Sequence, residues 1–140
     1  ELLAKSEEKR LEERVERIEE TINERIGKLT VEQKQIVRTY ASQFISTGDE
    51  WLKYRRNIQN AARKLFVTRT FNSDFERDLV TLMQNPDSYK TDVYKQSSEH
   101  NMTVTATLIS EIFSTLTDNQ RERLIENIND LINTVENFKD

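Results

Sequence analysis

The chain contains no cysteine. That excludes a disulfide, a thiolate metal site and a cysteine nucleophile, and it leaves the redox compartment open. There is one histidine, His100, beside Glu99. Even a partial zinc site needs two inward-facing ligands about one turn apart, so a lone histidine on a polar stretch reads as solvated. Only two glycines occur, Gly27 and Gly48, far apart, so no glycine-rich phosphate loop exists. Pro86 is the single proline. No apolar run approaches the length needed to cross a bilayer. The serines lack a strand–turn–helix setting, and the carboxylates lie in charge-mixed runs with no pair set apart as an acid/base couple. We therefore expect no catalytic residue, no cofactor and no metal, and a protein that is not an enzyme.

What is present is charge and helix-forming side chains. Asp, Glu, Lys and Arg make up 33% of the 140 residues, against 35% hydrophobic. Few breakers and many Glu, Lys, Arg, Gln and Leu predict helices nearly throughout. The length fits a single domain, residues 1–140, and the low apolar content suggests an elongated all-α bundle of five to six helices. Residues 1–27 read as a long charged amphipathic helix and residues 28–140 as the bundle.

The net charge of −4 is unevenly spread. Residues 28–69 carry nine positive and three negative side chains; both flanking segments are acidic. Neutralisation between packed helices is the expected use of this split, and a basic face for an acidic partner is the alternative.

Six helices can be drawn. The first runs from about Leu3 to Ile26 with a narrow stripe of Leu11, Val15, Ile18, Ile22 and Ile26, and Gly27 ends it. So thin a stripe suits a seam with one partner, within the chain or in a second copy; a homodimer with this helix in its interface is expected. The second runs from Val31 to about Ile45 and is stopped by Gly48; Asp49 is the expected N-cap of the third, which extends from Glu50 to about Phe66. Ser73 to Glu76 reads as a capping box opening the fourth, which closes at Asn85-Pro86-Asp87. The fifth begins between Pro86 and Thr91 and reaches about Leu116. Thr103 to Thr107 also alternates like a strand, but a lone strand has no partner here. The sixth runs from Asp118 to about Phe138, with Leu124, Ile128, Leu131, Val135 and Phe138 inward.

One short motif occurs twice, as Leu29-Thr30-Val31-Glu32-Gln33 and Leu116-Thr117-Asp118-Asn119-Gln120. A Thr before a helical run accepts the N–H three residues on, and a Gln there reaches back to the Thr N–H; this is the capping box. Two good helix starts are the plainest meaning. The identical Leu and Gln in both copies argue for more than coincidence.

A second cluster lies on the third helix. Trp51, Tyr54, Arg55, Arg56, Arg63 and Lys64 form a candidate partner-binding set. Trp51 is expected to be a buried anchor against helix two or six, with Arg55 paired to a carboxylate of the last helix and Arg56 facing solvent. Nucleic acid is not expected, because the pI near 5.2 is opposite to a basic footprint.

The doubled Leu-Thr-x-x-Gln on an all-helical chain resembles the periplasmic Spy/CpxP chaperone and stress-sensor family. A closer likeness is to an uncharacterised family of proteobacterial lipoproteins, a domain of unknown function. It is carried by Arg14 to Ile18, Lys28 to Gln33, Glu50-Trp51-Leu52-Lys53-Tyr54-Arg55-Arg56, and Ser114 to Leu124. The resemblance implies a periplasmic protein held to the membrane only by a lipid on a region upstream of Glu1, so that this chain is a fragment. It implies protein clients or partners, or self-association. Metal binding through histidines, as in some relatives, does not carry over, since those histidines are absent. The alternative is a structural spacer or dimerisation unit of a larger lipoprotein.

Overall fold

The computed structural model describes residues 6–137. Among these residues the chain is all-helical: α1 (Glu7–Ile26), α2 (Val31–Ala41), α3 (Gly48–Val67), α4 (Phe75–Gln84), a 3-10 turn (Pro86–Tyr89), α5 (Asp92–Ser114) and α6 (Asp118–Asn137). The expected all-α bundle is what forms. Leu3 and Phe138, expected near the ends of the first and last helices, lie outside the described residues. The chain divides into two compact units. One comprises the segments up to Phe44 and from Thr103; the other is Ile45–Met102.

The first unit holds the apolar core. Val15, Ile26, Leu29, Val37, Ala41, Leu108 and Ile112 are buried together, with Leu11, Ile18, Ile22, Leu116 and Leu124 packed against them. The thin stripe of α1 is thus covered within its own chain, by α2 and α6 and by Leu108 and Ile112 of α5. Ser6 caps α1 by accepting from the Lys9 N–H. Gly27 ends it at φ 88°, in the left-handed region that favours glycine.

α2 ends at Ala41, a turn earlier than the Ile45 expected. Arg14 of α1 donates to the Ala41 carbonyl at 2.8 Å and to the Phe44 carbonyl at 3.2 Å, serving acceptors that the helix end leaves open. Gly48 does not stop α2; it is the first residue of α3, with Thr47, not Asp49, at the N-cap and no side-chain cap bond.

The second unit is built differently. α3 packs on α4 and on the 3-10 turn, yet none of these elements contains a fully buried residue. Phe66 meets Phe75 edge-on at 5.5 Å, and Asn57 donates to the Tyr89 carbonyl. Asn101 holds Ile45 in a two-way bond, accepting from its N–H and donating to its carbonyl. The expected Ser73–Glu76 box is not formed. Asp74 occupies the N-cap of α4 without a side-chain cap bond, and its N–H donates to the Asn72 Oδ1. Thr91 caps α5 by accepting from the Tyr94 N–H. Residues 103–107 are helical.

Candidate partner-binding face

Two sets of residues stand out, and they do different things. The doubled motif forms two complete capping boxes. The Gln33 N–H donates to Thr30 Oγ1, and the Thr30 N–H donates to Gln33 Oε1. Thr117 and Gln120 repeat both bonds. The two glutamines then meet. Gln33 Nε2 donates to Gln120 Oε1 at 2.8 Å, and Gln120 Nε2 returns a bond to Gln33 Oε1 at 2.9 Å. Each Nε2 has one N–H left, which goes to a carbonyl two residues before the opposite threonine, Thr115 for Gln33 and Lys28 for Gln120. Both amides therefore make all four bonds available to them. Gln33 is 0% exposed and Gln120 5%. Leu29 is buried beside them, and Leu116 packs on the same core. The motif residues are structural: they join α2 to α6 and offer no free group.

The second set is on α3. Asp49 and Glu50 in its first turn favour the helix N-terminus. Glu50 accepts from Lys53 and from the Thr91 hydroxyl, and these bonds, the Lys53 one foremost, hold its carboxyl below the usual carboxylate range. Tyr54, Ile58, Ala61 and Leu65 form the half-buried inner stripe. Tyr54 is accordingly not part of an outer face. Its ring lies 5.8 Å from that of Tyr94, and the Lys90 ammonium sits over both.

Trp51, Leu52, Phe66 and Val67 of α3 are all substantially exposed. Trp51 is 44% exposed and is not the buried anchor that its size suggested. Arg55 does not pair with a carboxylate of the last helix; its guanidinium stacks 4.8 Å over the Trp51 ring. This neighbour on its own helix covers part of the indole. Arg56, Arg63 and Lys64 are exposed, and among the described residues none has an anionic partner. Part of the basic middle is neutralised internally, as Arg38–Glu12 at 2.6 Å and Lys53–Glu50 show. These three cations are not. Of the six residues in the expected partner-binding set, Trp51, Arg55, Arg56, Arg63 and Lys64 are exposed and Tyr54 is half-buried.

Such a face can hold carboxylates by charge and by bidentate guanidinium bonds while covering apolar surface beside them. A shallow depression along α4, lined by Ser73, Asp74, Arg77, Val80 and Gln84, is too open to exclude water from a substrate. Among the described residues no three of His, Asp and Glu gather in a metal-binding group, and no helix is long and apolar enough to cross a membrane.

No curated protein and no solved structure matches this chain. The matching family model covers residues 2–95, which takes in the first capping box and the whole of α3 but not the second box. The chain belongs to that family, a family of unknown function designated DUF6279.

Proposed function

We propose that this is a non-catalytic binding domain that holds acidic protein segments, as clients or as a partner, on the outer face of α3. The observation that carries this reading is the exposed stripe of Leu52, Arg56, Arg63 and Val67 at helical spacing on α3, with neither guanidinium paired to a carboxylate among the described residues. Unpaired cations next to apolar side chains suit an extended chain that offers both carboxylates and apolar groups. The doubled Leu-Thr-x-x-Gln supports a periplasmic setting like that of the Spy/CpxP proteins, and the separate likeness to a lipoprotein family supports a lipid tether.

A client-aggregation assay tests the reading. The domain should suppress aggregation of a chemically denatured client of acidic pI, and less so as salt rises. Arg56→Glu with Arg63→Glu should abolish the effect without lowering Tm. Suppression that survives both charge reversals would place the binding surface elsewhere. A second reading, a dimerisation or spacer unit, is favoured by the exposed apolar stripe of α6.

A further inference from the structure

The C-terminal half of α6 has an unusual outer surface. Ile125, Ile128, Leu131, Ile132 and Val135 are each between 48 and 62% exposed. A helix at the edge of a unit ordinarily turns such residues inward and its charges outward. Here Leu124 packs against the core of the unit, and the remaining apolar residues continue along the same helix into solvent.

Their spacing is that of a heptad seam. Leu124 and Leu131 take d positions, and Ile128 and Val135 take a positions; Ile125 and Ile132 widen the stripe at e. β-branched residues at a with leucine at d are the combination that favours parallel two-stranded pairing. The flanks carry no charge to choose a different partner. The g positions are Asn127 and Thr134, and the acidic side chains Glu126, Asp130 and Glu136 fall at f, c and b, away from the seam. Two identical helices set side by side in register therefore meet no like-charge repulsion across the seam, and Ile128, Leu131 and Val135 each face their own copy. A partner chosen by charge would leave a mark at e and g, and there is none.

We infer that the occupant of this stripe is a second copy of the chain, paired in parallel through α6 from Ile125 to Val135. Covering the exposed parts of five side chains on each copy falls short of the roughly 1,200 Å² of a standard interface, so the pairing is reversible and depends on concentration. It does not use α1, whose stripe is already buried.

The absence of cysteine makes the test clean. Sedimentation from low to high micromolar concentration should show a monomer–dimer equilibrium. Leu131→Glu should abolish it and leave helix content and Tm intact, since the side chain is exposed. In an oxidising buffer, Leu131→Cys at d should form a disulfide-linked dimer much faster than Asp130→Cys at c. A strict monomer throughout, a dimer unmoved by Leu131→Glu, or equal crosslinking at the two positions would each overturn the inference.

Discussion

Gln33 and Gln120 face each other as a closed pair of amides, 87 positions apart in the chain and joined by two reciprocal hydrogen bonds. Each carboxamide oxygen also serves the backbone of its own threonine, and each nitrogen serves the carbonyl just before the opposite motif. Removing one amide strands several buried groups at once. Gln33→Ala or Gln120→Ala alone should cost about 1–3 kcal/mol for the groups left unpaired. The double variant should cost clearly less than the sum of the two. Additive losses in a double-mutant cycle from denaturant unfolding would mean that the pair is not coupled.

The threonines act locally. Thr30→Ala and Thr117→Ala should each destabilise by roughly 1 kcal/mol, the usual value of an N-cap hydroxyl. Replacement by serine should restore most of it. If Tm is unchanged in both alanine variants while the circular dichroism spectrum stays helical, the capping account fails.

The two glycines should respond in opposite directions. Gly27 is at φ 88°, and a Cβ there meets the Arg123 side chain at 3.3 Å, so Gly27→Ala is strained on two counts and should lower Tm. Gly48 sits in the first turn of α3 with nothing within 4 Å of a Cβ, and Gly48→Ala should be neutral or stabilising by up to about 1 kcal/mol. A thermal melt of each variant decides the matter.

Stability should fall on the acid side partly through Glu50. Its folded carboxyl is held low by Lys53 and then Thr91, so its contribution is present above the unfolded carboxylate pKa of about 4.3 and disappears as pH drops through the lower folded value. Glu50→Gln should flatten the acid limb of a Tm–pH profile. An unchanged limb would show that these bonds do not persist in solution.

Trp51 is the only tryptophan, so intrinsic fluorescence reports the α3 face alone. Its emission should be red-shifted and readily quenched by a soluble quencher. Arg55→Ala should make quenching easier, because the guanidinium that covers the ring is gone. A blue-shifted, protected signal would contradict the exposed placement.

Local chemistry was readable in advance and long-range chemistry was not. The boxes at Thr30 and Thr117 depend on residues three apart, and both formed. The meeting of their glutamines across the core carried only a faint sign, the same residue at the same place in two caps. Gly48 misled because a glycine can precede a helix as well as follow one. Burial habits of tryptophan misled at Trp51, where the second unit has no deep core to receive it and a neighbouring arginine supplies cover instead. The early end of α2 depends on Arg14, 27 residues before the Ala41 carbonyl it serves, which no helix-end rule detects. At Ser73 the expected box fails because the helix starts one residue later, with Asp74 at its N-cap.

The amide pair also sets an order of events during synthesis. One unit is made of both ends of the chain, with Ile45–Met102 intervening. When α1 and α2 leave the ribosome, Gln33 has no partner, and Val15 and Val37 lack the Leu108 and Ile112 that complete their cluster. The intervening segment must be made, and a long loop closed at an entropic cost, before the first helices have their full core. Completion waits for the last helix, so a chain cut before Asp118 keeps 117 of its 140 residues and loses the closure of its principal core.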